Sequence, residues 1–452
     1  MIVAKFGGTS VNTKEGIAVI CHTTQKNLAQ KPILVVSALR GVTDLLLSLE
    51  TATNLRKKQI LGSVAKTHKD FVKKLFSDKK TQKEINLYID DQIKSLAKLT
   101  KRTIDKQALD SIVSFGEIMS SYIVTKALLE HKISAKQVLA TELIVTDDTF
   151  GNASWVVAPT KTKVTKTLLP LIKKGIVPVV TGFIAATKDK KTTTLGRGGS
   201  DYTASIIGFC LEASEIQIWT DVDGLFTSDP RLVKTARLLK TVSFEEASEM
   251  ATFGSRVLHP RTIRPATKAG IPVRVLNTHN INGEGTLIVE KPVVKHPITA
   301  IACKKNITLV NIYSFEMLLA KGFLAKVFTV FAKHDISIDL VSVSEVSISV
   351  SLDNTNHLED AVLELEKFAK VVVVKHLGMV SLIGVGIVTS THAIHSIFDL
   401  LHKEKILVKM VSLGATDINV SLVIDGKLID HTVLLLHDRL LMKKIHYLRK
   451  FV

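Results

Sequence analysis

The chain has 452 residues and carries 60 Lys and Arg against 42 Asp and Glu, a formal charge of +18 with histidine neutral. Hydrophobic residues make up 46% and charged residues 23%, which excludes extensive disorder and leaves room for about three domains of ordinary size. Aromatics are only 5%, and none interleave with the basic runs Arg56-Lys57-Lys58, Lys73-Lys74, Lys79-Lys80 and Lys443-Lys444 as base stacking requires, so the charge reads as solvated helix surface and no nucleic acid is expected. Cys21, Cys210 and Cys303 form no C-x-x-C pair, which suggests neither a disulfide framework nor a zinc site and points to a reducing, cytoplasmic setting. The apolar run before Gly7 is too short for a signal peptide. The run Leu377 to Val388 falls short of the roughly 20 residues that cross a bilayer, so no membrane association is expected.

In chain order, Ile2 to Phe6 reads as a buried strand, followed by Gly7-Gly8-Thr9-Ser10 and a helix with Ile17, Ile20, Cys21, Thr24 and Leu28 on one face. Ile33 to Val36 is the next strand, completing a βαβ unit. A helical pattern spans Ala108 to Leu129; Ile176 to Ala185 reads as strand, Thr203 to Leu211 as helix and Glu215 to Thr220 as strand. Alternating strands and helices over residues 1–295 predict a mostly parallel sheet covered by helices.

From Ile298 the elements shorten. Strand 307–313, helix 322–332, strands 336–343 and 346–352, helix 357–368 and strand 371–374 follow the ferredoxin-like order βαββαβ. A second pass runs through strand 379–387, helix 391–403, strands 407–413 and 418–424 and helix 428–443, with its last strand weak or missing. The spare strand Ile298 to Ala302 fills that gap if the first unit, 305–376, is inserted into the second, 296–304 plus 377–452.

Two loops and one helical segment carry chemistry. In Lys5-Phe-Gly-Gly-Thr-Ser10 a lysine at a strand end precedes two glycines and a helix, an arrangement that cradles a phosphate through backbone N–H groups, or an ordinary strand-to-helix turn. In Gly196-Arg-Gly-Gly-Ser-Asp201 three glycines surround Arg197, whose planar fork suits a carboxylate or phosphate, ahead of Ser200 and Asp201 at a helix N-cap position. In Ser114-Phe-Gly-Glu117 a glycine inside a helix costs about 1 kcal/mol relative to alanine, which implies a close neighbour. Glu117 beside it either faces solvent or accepts an ammonium group. Asp221 and Asp223 follow a strand end, the place where ligands bind in open α/β sheets, or simply turn the chain; His259 before Pro260 reads as a packed loop residue.

Together Lys5-Phe-Gly-Gly-Thr-Ser10, Ser37 with Gly41-Val-Thr43, Ser114-Phe-Gly-Glu117, Gly196-Arg-Gly-Gly-Ser-Asp-Tyr-Thr203 and Trp219-Thr-Asp-Val222 resemble, in order, the motifs of aspartokinases. The resemblance spans essentially the whole chain. It implies an amino acid kinase fold with two ACT-type regulatory units and phosphorylation of L-aspartate by Mg-ATP to 4-phospho-L-aspartate. It assigns catalysis to Lys5, Glu117, Arg197 and Asp201, and substrate binding to Ser37, Thr43, Glu117, Arg197 and Ser200. Lys5, Gly7, Gly8, Thr220, Asp221, Phe226, Arg231 and Arg256 fall on its ATP side, with Phe226 where the family often has tyrosine and Arg256 where it often has lysine. Magnesium is expected on the ATP phosphates, with no side-chain metal ligands assigned. Met317, Gly322, Phe323, Leu324, Ser337, Asp339, Ser344 and Glu345 resemble the effector site of lysine-sensitive members, which implies L-lysine as inhibitor and a homodimer or dimer of dimers through the ACT units. Alternatives are another carboxylate or carbamate kinase of the same fold, and a lysine-responsive binding protein with an inactive kinase half.

Overall fold

The computed structural model describes residues 1–253, 258–292, 296–318, 320–414 and 417–442. Two compact units are present. The first comprises Met1–Leu225, Leu238–Phe244 and Val257–Pro292; the second comprises Phe226–Arg237, Glu245–Arg256 and Val293–Val452.

An eight-stranded sheet forms the first unit, in the order Ala135–Val138, Val177–Thr181, Ile33–Val36, Ile2–Phe6, Glu215–Thr220, Val273–Asn277, Thr286–Val289, Thr241–Ser243. All neighbours are parallel except Val273–Asn277 with Thr286–Val289, which form an antiparallel pair. Ile33–Val36 is buried at every position, as a parallel strand covered by helices on both faces must be. The strands at 2–6, 33–36 and 215–220 fall where their apolar runs predict. The strand expected over 176–185 instead breaks into Val177–Thr181 and Ile184–Thr187, because Phe183 turns left-handed at φ 67°, and Ile184–Thr187 joins a small separate sheet with Val145–Thr146 and Thr192–Thr194.

Helix Lys106–Glu130 starts at Asp105, whose carboxylate accepts from the Ala108 N–H at 2.7 Å. It is long and apolar enough to cross a bilayer, yet 72% of its most apolar window is buried inside the protein, so that length serves the core. Ile112, Val113, Met119, Ile123, Ala127 and Leu128 bind it to the sheet and to a helical hairpin, Asn54–Leu75 and Lys79–Leu99. Arg56, Lys58, Lys73, Lys74, Lys79 and Lys80 lie on the exposed surface of that hairpin, and Lys443 and Lys444 lie outside the described residues. The three cysteines carry free thiols.

In the second unit one antiparallel six-stranded sheet runs Leu340–Val343, Ser347–Leu352, Ala300–Tyr313, Lys370–Ile383, Asn419–Asp425, Met410–Leu413. What reads as four separate strands is two 14-residue strands, Ala300–Tyr313 and Lys370–Ile383, each running through both halves of the sheet. Their register shifts around Asn306, and Asn306 and His376 take left-handed conformations at φ 60° and 61° where the halves meet. Ala300 to Lys304 pairs with Met379 to Ile383, giving the second ferredoxin-like half the strand its own sequence lacks. Strands 340–343 and 410–413 begin later than predicted. Helix 357–368 shortens to Leu358–Leu365, and helix 428–443 to Ile429–His437 followed by a π-turn at Asp438–Met442, with Lys443 outside the described residues.

Candidate active site

Lys5 sits near the carboxyl end of Ile2–Phe6, between Ile33–Val36 and Glu215–Thr220. The chain then turns sharply: the Gly7 N–H donates to the Trp219 carbonyl at 3.2 Å, and the Ser10 and Val11 N–H groups donate to the Gly7 carbonyl. A Cβ on Gly8 would lie 3.0 Å from the Ala38 carbonyl oxygen and one on Gly7 3.4 Å from Lys5 Nζ, so the absence of side chains lets the lysine fold over the turn. Lys5 Nζ pairs with Asp201 Oδ1 at 2.7 Å, and both side chains are nearly buried. The Ser10 and Thr278 hydroxyls meet at 2.6 Å, and the Thr278 N–H donates to the Thr220 carbonyl, tying the turn to the next strand end.

Glu117 is buried on helix Lys106–Glu130. Oε1 accepts from the Ala38 N–H at 3.2 Å, while Oε2 is buried without a hydrogen-bond partner. Burial pushes its carboxyl up to about 8, against only the Ala38 and its own backbone N–H groups to lower it. A buried carboxylate with one vacant oxygen is a receptor for a cation. The close neighbour implied by Gly116 is Ala38, whose Cβ would stand 2.8 Å from a Cβ at that position. Gly116 therefore lets the segment carrying Ser37 and Ala38 settle against the helix, and the Ser37 hydroxyl donates to Ser200 Oγ at 2.9 Å.

Arg197 lies on an exposed loop between Gly196 (φ 75°) and Gly198 (φ 69°). Helix Gly199–Leu211 begins a turn earlier than the apolar pattern suggests, and its N-cap is Gly198, so Ser200 and Asp201 stand in its first turn and cap nothing. Asp110, two turns before Glu117, is buried and accepts from the Gly151 N–H at 2.9 Å, the Thr194 N–H at 2.8 Å and the Thr194 hydroxyl at 2.8 Å. Asp110 was invisible in sequence except as a carboxylate at i−7 from Glu117, hence on the same helix face.

These groups share one cleft of about 670 Å³. Lys5, Gly8, Ser37, Thr43, Asp110, Glu117, Arg197, Ser200 and Asp201 line it, with Arg40 and Asp44, which sequence reasoning did not single out. Gly7 supports the cleft from the turn below Lys5. Another groove of about 500 Å³, lined by His22, Lys26, Lys240 and Arg274, holds none of the expected residues. Thr220 and Asp221 stand at the strand end beside the glycine turn, where Thr220 Oγ1 donates to Asp221 Oδ1 at 3.2 Å. Asp223 ties its loop to the one after Val273–Asn277, accepting from the Asn277 and Asn280 amides. His259 N-caps helix Pro260–Lys268 and is held below its ordinary value by burial and then by the Arg197 and Arg261 charges. Phe226 and Arg231 belong to the second compact unit, where the Arg231 guanidinium pairs with Asp229 at 2.7 Å; Arg256 lies outside the described residues. The cleft thus brings together the residues expected for catalysis and substrate binding, with Lys5 and Gly8 of the expected nucleotide set. Among the described residues no group of three or more His, Cys, Asp or Glu side chains is arranged to hold a metal.

In the second unit Gly322 (φ 85°) N-caps helix Phe323–Lys333, and Phe323 packs edge-on to Phe368. Met317 closes a short 3₁₀ turn; Leu324, Ser337, Ser344 and Glu345 are exposed, and Ser344 bonds Ser347. Asp339 is already paired: Lys304 Nζ lies 3.0 Å from its Oδ1 and 3.1 Å from Asp353 Oδ2, while Asp339 Oδ2 is buried without a hydrogen-bond partner.

A parallel sheet with a lysine-bearing glycine turn and a buried carboxylate opposite an arginine loop is the architecture of an amino acid kinase, and the amino acid kinase family profile matches residues 1–277, with an ACT domain profile matching residues 380–440. Aspartokinase 3, chloroplastic, of Arabidopsis thaliana is 37% identical over 96% of this chain and 81% of its own length. The crystal structure of E. coli aspartokinase III in complex with aspartate and ADP superposes with a TM-score of 0.83 at 32% identity, over 97% of this chain and 99% of that one. The same enzyme in complex with lysine and aspartate gives 0.85 at 32% identity, over 98% and 99%. The chain belongs to the aspartokinases of the amino acid kinase family.

Proposed function

We propose that this chain transfers the γ-phosphoryl group of ATP to the β-carboxylate of L-aspartate, giving ADP and 4-phospho-L-aspartate, and that L-lysine inhibits it. The carrying observation is Glu117, a buried carboxylate with a vacant oxygen in the same cleft as Lys5 and Arg197. An α-amino acid supplies what Glu117 and Arg197 each lack: an ammonium for Glu117 and a carboxylate for the Arg197 fork. The β-carboxylate is ionised at neutral pH, so attack needs no general base and catalysis rests on positioning and charge neutralisation.

Lys5 is the charge-bearing group, with Asp201 fixing its ammonium over the glycine turn. The Gly8 N–H and the start of the helix beginning at Gly199 add electropositive N–H edges suited to phosphate, while the Gly7 N–H is spent on the Trp219 carbonyl. Ser37, Thr43 and Ser200 complete the polar wall, and Thr220 and Asp221, at the strand end beside the glycine turn in the same unit, are placed to serve the nucleotide. Magnesium bound to the ATP phosphates would supply further charge neutralisation there, with no side chain assigned to hold it.

Residues 305–376 form the first ACT unit, and 296–304 with 377–452 the second. Phe315, Leu318, Val341 and Val343 leave apolar surface exposed beside the proposed effector residues, which supports pairing with a second copy of the chain in the cytoplasm. Trapping the acyl phosphate with hydroxylamine tests the reading. An aspartate- and ATP-dependent hydroxamate that declines on adding lysine supports it; preferential turnover of another carboxylate or of carbamate contradicts it.

A further inference from the structure

Asp110 and Glu117 lie on one face of helix Lys106–Glu130, about 10 Å apart along its axis. Glu117 has a vacant oxygen; Asp110 is fully engaged. Its three hydrogen bonds come from two segments far away in sequence, the loop at Gly151 and the strand Thr192–Thr194. That strand leads through Leu195 directly into Gly196-Arg197-Gly198. The loop abuts the same place from the other side: a Cβ on Gly196 would collide with the Asn152 side chain. Arg261 closes the assembly, bonding the Asn152 side chain and, at 3.0 Å, the Ala153 carbonyl.

We infer that Asp110 is a positioning residue for substrate recognition, fixing the start of the Arg197 loop relative to Glu117 so that the two ends of the amino acid's α-centre meet their partners at one spacing. The physical reason is economy of degrees of freedom. Arg197 is exposed and flanked by two left-handed glycines, so its own loop cannot locate it. A buried carboxylate accepting three N–H and O–H groups is rigid, because releasing any of them strands a polar group without water. Because Asp110 and Glu117 share one helix, any shift of the helix moves both anchors together and preserves the spacing.

This inference rests on the aspartate-kinase reading, and two measurements separate their fates. Turnover of aspartate by the wild-type chain tests the reading alone. Amide hydrogen exchange tests the inference alone: Gly151 and Thr194 should be strongly protected in the wild type, and Asp110→Asn should release both together with the 195–199 segment while helix 106–130 stays protected. Exchange unchanged in that variant, or already fast in the wild type, overturns it. In kinetics Thr194→Val should raise KM for aspartate about tenfold while KM for ATP stays within about twofold, and Thr194→Ser should behave as wild type. Equal rises in both KM values, or a Ser variant as impaired as Val, also overturn it. The Thr194 pair keeps the test decisive if Asp110→Asn does not fold.

Discussion

On the proposed reading, in which Glu117 receives the ammonium of aspartate, binding releases a proton. Burial pushes the Glu117 carboxyl up to about 8, so at neutral pH the protonated form is favoured before aspartate binds. An ammonium at the vacant oxygen favours the ionised form and expels that proton. Isothermal titration calorimetry of aspartate into the protein, repeated in buffers of different ionisation enthalpy, should show net proton release at neutral pH that diminishes as pH rises past the carboxyl's value. Glu117→Gln, which retains an acceptor for the Ala38 N–H but carries no charge, should release none and bind aspartate at least about a hundredfold more weakly. The same group sets a stability trend. The native carboxyl keeps its proton to higher pH than the unfolded one, whose value is near 4.5, so the empty protein loses stability as pH rises from there towards 8. About 2 kcal/mol of that loss falls between pH 6 and pH 8, and Glu117→Gln should lack it in denaturant titrations of the full chain. Proton release near zero at every pH, together with parallel stability profiles for the two proteins, would refute the reasoning.

Replacing Lys5 with Met should lower kcat by about a hundredfold or more, since the charge is lost at the transferred group, whereas Asp201→Asn should cost less because it only unfastens the lysine; stopped assays at saturating aspartate and ATP compare them. Gly116→Ala places a methyl 2.8 Å from Ala38 Cβ, and chemical denaturation should show a loss of about 1–3 kcal/mol with weaker aspartate binding. Lys304 holds Asp339 with the same alkylammonium that free lysine offers, so Lys304→Met should lower the half-inhibiting lysine concentration about threefold or more; weaker inhibition would show instead that Lys304 supports the effector.

The elements that carry the cleft were legible because each combines a buried apolar run with a glycine turn. Ile2–Phe6 with Gly7-Gly8, and Glu215–Thr220, needed no tertiary information. The break at Phe183 was not legible, since a left-handed phenylalanine leaves no composition signal. Nor was the continuity of Ala300–Tyr313: Lys304-Lys305-Asn306 reads as a polar turn, and only the antiparallel partner at Leu377–Val380 shows it to be a bend within one strand. In the site, Gly116 announces its close neighbour through its helix-propensity cost, whereas Glu117 beside it reads equally as a solvated carboxylate, and only the family resemblance assigns it a role. Asp110 looked like one more acidic residue near a helix start, because its meaning lies in Gly151 and Thr194, 41 and 84 residues away. Arg231 falls on the nucleotide side by the family resemblance alone, and in the structure its guanidinium folds back on Asp229, two residues earlier, a local pairing that a motif match does not weigh.

A crystal structure of the full chain with aspartate and an ATP analogue tests the central claim most directly. The amino acid's ammonium should lie about 2.8 Å from Glu117 Oε2, its α-carboxylate on the Arg197 guanidinium, and its β-carboxylate towards Lys5 and the terminal phosphate. Aspartate seated in another cavity, or bound in this one with Glu117 Oε2 still unpaired, would contradict the account.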